Sequence, residues 1–228
     1  MPDVVNRDAK EAALAKAVSK EFSIAVKELL ILFPEMEEFI ATVPIEFWTA
    51  QQIALVSAIA PQLLNIYVAQ AETMIDDLVI YGVDWALVNE AAADWASTYT
   101  FDLVGGINNT SRAALQKLIP AFFEEGMTLA QLRDRLSSIY GPTRAELIAS
   151  TETTRAASEG EQEVSKRLAE QGINMQPIWL TMEDEIVRQC PVCWPKNNKK
   201  IGVEIPDEYP PAHPRCRCSV VYEMIPLE

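Results

Sequence analysis

The chain has 228 residues, 49% of them hydrophobic and 23% charged, and thirty-three acidic against nineteen basic residues give a formal net charge of −14. So large an apolar share excludes global disorder and allows a sizeable core, within one large domain or two small ones. The acidic balance disfavours a general nucleic-acid coat, which has to neutralise phosphate with Lys and Arg.

The start, MPDVVNRDAKEAALAKAV, is charged from its third residue and has no apolar signal-type stretch, which predicts a reducing cytoplasm during synthesis. A first helix is predicted over residues 8–33, because Leu14, Val18, Phe22, Ala25 and Leu29 recur at spacings of three and four. Pro34, Pro44 and Pro61 then divide the chain into shorter helical pieces. The longest apolar run, 53–69, is broken by Ser57, Pro61, Gln62 and Asn65. A membrane span needs about twenty mostly apolar residues, so this run reads as a buried, Pro-kinked helix of a soluble protein that does not contact a membrane. A further helix follows Asp84 with Trp85, Val88, Ala92 and Trp95 in register, and Gly105-Gly106-Ile107-Asn108-Asn109 reads as a loop with Thr110 or Ser111 capping the helix after it. Thr128 with Gln131 forms a capping box for a helix ending near Tyr140-Gly141. Pro142 stiffens the next entry, and Thr143 with Glu146 forms a second capping box starting what is predicted to be the longest helix, which stops at Gly172.

The last 56 residues change character. Eight of the fourteen prolines lie at or after Pro177, together with all four cysteines and the single histidine. Ile178-Trp179-Leu180 and Ser219-Val220-Val221-Tyr222 read as short strands joined by an irregular loop, with too little apolar surface to fold without a staple. The fold class predicted is therefore mostly α: a helical N-terminal region, a long central helix and a small C-terminal α+β module stapled by zinc. Composition thus separates helices to about 172 from a Cys/His-rich β module over 173–228. Between Lys27 and Arg112 there is no Lys or Arg, while twelve Asp or Glu fall there. That is either a solvated acidic face or a surface whose partner supplies positive charge.

The staple is legible in Cys190-Pro-Val-Cys193 and His213-Pro-Arg-Cys216-Arg-Cys218. Zinc takes four thiolate or imidazole ligands in a tetrahedron, and C-x₂-C supplies two from one turn. His213, Cys216 and Cys218 compete for the other two places, Cys216 being favoured because His213-x₂-Cys216 repeats the gap of the first pair. Free thiols and a disulfide are the alternatives. Enough donors are present to close the site, so any metal is structural; neither H-x-E before a C-x-x-C nor H-E-x-x-H occurs. Lys196, Lys199, Lys200, Arg215 and Arg217 around the cluster are candidate phosphate contacts.

The central helix carries Ser150-Thr-Glu-Thr-Thr154, a costly composition for a helix, which predicts tertiary hydrogen bonds from these side chains. Glu152, Thr153 and Arg155 are the candidates for docking this helix to the C-terminal module through Glu183, Asp184 or Arg188; the alternative is an exposed Glu152–Arg155 pair.

Taken in order, Gly126-Met-Thr-Leu-Ala-Gln-Leu-Arg, Arg144-Ala-Glu-Leu-Ile-Ala-Ser-Thr-Glu-Thr-Thr-Arg-Ala, Trp179-Leu-Thr, Cys190-Pro-Val-Cys193 and Pro211-Ala-His-Pro-Arg-Cys-Arg-Cys218 resemble the phage head morphogenesis proteins, the minor capsid family typified by protein F of phage Mu. The resemblance covers about residues 110–222 and implies a division into an acidic, partner-binding helical region over 1–110 and a head morphogenesis domain over 111–228. Glu152, Thr153, Arg155 and Ala156 match the family's "TET-RA" helix, and Cys190, Cys193, His213, Cys216 and Cys218 its C-terminal box. Ser150 stands where the family usually has Arg, and Trp-Pro-Lys-Asn-Asn after Cys193 replaces its usual turn. The resemblance implies a non-enzymatic protein of a tailed-phage head, multimeric in the particle. It implies association with the portal protein and other head proteins, packaging inside the capsid beside DNA, a role in genome delivery, and host cytoplasm as the place of assembly. Two other classes compete. A zinc-module nucleic-acid-binding protein would use the basic residues above. An ADP-ribosyltransferase-like enzyme finds only a loose echo in Arg144, Ser150-Thr-Glu152 and Glu183-Asp-Glu185, with the middle element on a helix instead of a strand.

Overall fold

Three- and four-residue apolar spacing builds the five α-helices found among the described residues, and the two strand-like runs pair. The structure, a computed structural model, describes residues 3–36, 42–78, 83–182 and 189–226. Helices α1 (Arg7–Glu35), α2 (Ile45–Leu78), α3 (Trp85–Glu124), α4 (Leu129–Tyr140) and α5 (Pro142–Glu170) precede strand β1 (Met175–Leu180), a 3₁₀ turn (Trp194–Lys196), β2 (Lys199–Lys200) and β3 (Ser219–Met224). The sheet order is β2-β1-β3, antiparallel throughout, with Trp179 opposite Lys199 on one side and Val220 on the other. The mostly α class with a small C-terminal sheet is as the sequence predicts.

Three expectations are corrected. Gly105–Asn109 is no loop: it lies inside the 40-residue α3, which also makes α3 and not α5 the longest helix. Neither glycine has a neighbour within reach of an added Cβ, so each costs only its helix-propensity deficit of about 1 kcal/mol. Against this, Val104, Ile107 and Leu115 are buried on one stripe. Thr110 and Ser111 do not cap a new helix; their hydroxyls donate back to the carbonyls of Gly106 and Ile107. Pro61 sits within the continuous 34-residue α2 instead of dividing it, a proline kinking without ending a helix whose Leu55, Ile59, Leu63 and Ile66 are buried on both sides of it. Among the described residues α2 is the one helix long and apolar enough to cross a membrane, by length and composition alone. Finally, α5 begins at Pro142, so Thr143 is inside its first turn, and the Gly141 carbonyl accepts from Arg144 and Ala145. The Thr128–Gln131 capping box is present in full.

The chain forms two compact units: residues 1–11, 62–95 and 147–228, and residues 12–61 and 96–146. Residue 110, the boundary that the resemblance implies, falls inside α3. The second unit is all helix. Its core joins Leu14, Val18, Phe22, Leu29 and Phe33 to Leu132, Leu136 and Tyr140, with Phe22 edge-on to Tyr140 at 5.3 Å. Arg144 is held there by the carbonyls of Ile107 and Ile139 and the hydroxyls of Thr110 and Ser111. The first unit gathers Ala71, Met74, Ile75, Val88, Val164 and Leu168 from helices around Trp179, Val220, Tyr222 and the buried cysteines. Helices α2 and α5 touch closely at Gly160, where a Cβ would lie 2.4 Å from the Tyr67 carbonyl oxygen. α5 stops where Gly172 takes φ +84°, its amide bonding Ala169 while Ile173 bonds back to Leu168.

Candidate metal centre

Two tight turns bring the sulfur and imidazole donors together. The first, after β1, carries Cys190 and Cys193; the Cys193 amide lies 3.4 Å from the Cys190 sulfur and the Trp194 amide bonds the Cys190 carbonyl. The second precedes β3. There Arg215 adopts φ +63°, and the Cys216 amide bonds the His213 carbonyl, so that Cys216 and His213 face the same side. His213 Nε2 lies 3.0 Å from Cys193 Sγ and 3.4 Å from Cys190 Sγ, and Cys193 Sγ lies 3.8 Å from Cys216 Sγ. Cys218 joins Cys193 and Cys216 in a second triad, so Cys193 belongs to both. All four thiols are unbridged, and Cys193, Cys216 and Cys218 are buried.

These donors fit a tetrahedral metal. Zn–S bonds of about 2.3 Å place two thiolates roughly 3.8 Å apart across a tetrahedral edge, which is the Cys193–Cys216 separation. His213 Nδ1 lies 2.7 Å from the Pro214 carbonyl. A carbonyl only accepts, so Nδ1 carries the proton and Nε2 turns its lone pair to the thiols, the outer bond that orients a ligating imidazole. Hydrogen bonds from Cys193 and then Cys218 hold the Cys216 thiol down at about 2, and the same contact with Cys216 drives Cys193 far up. Burial opposes the charged form of His213, but the Pro214 carbonyl and the thiolates Cys216 and Cys190 raise it overall. The donors thus share protons that a divalent cation displaces. The cluster can hold a metal ion.

The polar helix contacts the module through two of its hydroxyls. Thr154 Oγ1 donates to the Cys216 carbonyl at 2.7 Å, and Thr151 Oγ1 accepts from the Arg215 amide at 2.9 Å. Glu152 and Arg155 pair with each other at 3.3 Å, and Thr153 is fully buried. Glu183, Asp184 and Arg188, their suggested partners, lie outside the described residues, as does the Glu183–Glu185 part of the transferase echo. Spacing had offered the signal for Thr151 and Thr154, which stand three apart and share a helix face.

A third participant had no signal in the sequence. Arg7, 3% exposed, donates to Thr154 Oγ1 at 2.8 Å and to the Arg217 carbonyl at 3.3 Å, and pairs with Asp3. Arg217 in turn pairs with Asp8 and Glu11. The remaining candidate phosphate contacts are distributed differently. Lys196 pairs with Glu208 and stacks on Trp179, Lys199 pairs with Glu204, the Lys200 amide bonds Glu204, and Arg215 is exposed.

Thr154→Val tests the outer contacts. It keeps the shape while leaving the Cys216 carbonyl and Arg7 each one partner short, an expected cost of about 1–3 kcal/mol. A roughly 10- to 100-fold loss of metal affinity is also expected from the loosened ligand loop. Denaturant unfolding and competition with a chromogenic chelator measure the two separately.

The comparisons with known proteins agree with this arrangement. No curated protein and no solved structure gave a significant match. Residues 114–221, from the second half of α3 through the Cys/His turns into β3, match the model of a family described as phage Mu protein F like protein. Over these residues, a little under half of the chain, it is similar to the phage Mu protein F like family, in agreement with the ordered motifs of its sequence.

Proposed function

We propose that this is a non-enzymatic minor capsid protein that associates with the portal vertex during head assembly, is packaged inside the head in several copies, and serves genome delivery. The match over residues 114–221 carries the reading. In it the Cys/His centre is a zinc staple that makes the C-terminal module rigid enough to dock, since thiolates and imidazole sufficient for four positions leave none for a reacting water. Residues 28–111, with acidic side chains and no Lys or Arg, suit a partner face that is basic. Contact with packaged DNA is secondary, because Lys196, Lys199 and Arg217 are engaged by carboxylates of the chain itself. Synthesis and assembly belong to the host cytoplasm.

The experiment is co-expression of the full chain with the portal protein of the same genome. Co-purification that weakens as salt rises from 50 to 500 mM is expected, because exposed charges are screened over that range. No co-purification at low salt, from lysates in which both proteins are folded and soluble, overturns the portal assignment.

A further inference from the structure

A cavity on the helical side of the first unit, lined by none of the cysteines, is unassigned by the reading above. It has a volume of about 440 Å³ and is lined by Tyr67 of α2, Trp95 of α3, Tyr209 of the C-terminal loop, and Glu159, Glu163 and Lys166 of α5. The Tyr67 and Trp95 rings pack on each other with centroids 5.5 Å apart at 40°, so that together they form one aromatic wall of it. Aromatic faces carry negative potential and attract an ammonium or guanidinium placed over them. Two carboxylates in the same lining add to that field.

The chain's own cations only partly answer those carboxylates. Glu163 is taken by Arg167 at 2.6 Å, with the largely exposed Lys166 at 3.8 Å on the rim. Arg155, one turn before Glu159, is bound at 3.3 Å by Glu152. Burial lifts the Glu159 carboxyl above its ordinary range despite Arg155, and burial together with Glu163 and Glu159 lifts the Tyr67 hydroxyl. Both carboxylates therefore act on the same small space, and a cation entering it would relieve both. Tyr67, Ala91 and Trp95 also belong to the stretch of the chain without any Lys or Arg.

We propose that this cavity binds an organic cation, an alkylammonium or guanidinium group, held against the aromatic wall of Tyr67 and Trp95 in the space that Tyr209 also lines, and neutralised by Glu159. The group arrives either as a free polyamine or as a Lys or Arg side chain of a bound protein. The chemistry of the site is the same for both.

The test uses the full chain, titrated by calorimetry and followed by NMR. The probes are tetramethylammonium, its neutral isostere tert-butanol, 1,4-diaminobutane and a capped Gly-Lys-Gly peptide. Saturable one-to-one binding of the cations is expected, with tert-butanol at least tenfold weaker. Glu159→Gln keeps the side-chain shape and should weaken cation binding fivefold or more without lowering the melting temperature. Lys166→Ala, which removes the competing charge from the rim, should strengthen it. A peptide that binds tighter than the diamine supports a protein side chain as the source, and the reverse order supports a polyamine. Equal binding of tert-butanol, wild-type affinity in Glu159→Gln, or no binding by any of the three cations overturns the proposal.

Discussion

Cys193→Ser is expected to strip the chain of its metal and the C-terminal module of its order. Cys193 is the donor common to both triads, 1% exposed, with contacts to His213 at 3.0 Å and Cys216 at 3.8 Å. A serine hydroxyl stays protonated at neutral pH and does not replace a thiolate on zinc. The segment between β1 and β3 is rich in proline and poor in apolar side chains, so metal binding and folding are there largely one free energy. Structural zinc is worth roughly 10–16 kcal/mol in isolated finger peptides. One metal ion per wild-type chain is expected by elemental analysis, none in Cys193→Ser, and a chelator should lower the wild-type melting temperature to that of the variant. Comparing Cys216→Ser with Cys218→Ser identifies the fourth ligand. Cys216 is expected to matter more, and equal retention of metal in both would sink that choice. A wild-type chain free of metal and unmoved by chelator would return the cysteines to ordinary core roles.

Glu161→Gln should stabilise the protein above neutral pH and flatten its pH profile. Glu161 is 7% exposed, with Gln70 donating to it at 2.7 Å and the Gln70 oxygen accepting from the Val5 amide. Burial raises its carboxyl to about 8, only partly offset by Gln70 and Arg7. The folded state thus holds a proton that the unfolded chain gives up near 4.5. Its stabilising contribution is fully present below that pH and is lost progressively as pH rises through about 8. At about 1.4 kcal/mol per pKa unit the loss amounts to several kcal/mol. Melting temperatures of the wild type should fall between pH 5 and 8.5 with a slope approaching one proton, whereas Glu161→Gln, whose amide oxygen still accepts from Gln70, should lack that slope. Parallel profiles for the two proteins would show that Glu161 is ionised in the fold.

The helices were legible where burial and spacing agree: Leu14, Val18, Phe22, Ala25 and Leu29 are all buried in α1, and the Thr128 box caps α4 as its composition says. They were illegible where local preference is outvoted. Glycine and asparagine at 105–109 favour a turn locally, and no local rule contains the apolar stripe that keeps α3 running through them. The five metal donors were readable because the chemistry demands particular side chains at short spacings. The docking contacts were readable only as a class. An excess of hydroxyls in a helix says that some will find tertiary partners, and the approach of the Cys216 loop decides that these are Thr151 and Thr154. Arg7 was invisible because its partners lie 147 and 210 residues away.

That last distance has a consequence for biosynthesis. Arg7, Asp8 and Glu11 of α1 are made 206 to 210 residues before the Arg217 that they grip. The unit containing the Cys/His centre is assembled from three separate stretches of chain and is completed only when the final one emerges. A chain stalled before residue 190 holds neither its metal donors nor the loop that its amino-terminal turn is shaped to clasp. Closure of this unit thus waits for the last of its three stretches, and a chain truncated before residue 190 would present an open, acidic turn of α1 to quality control.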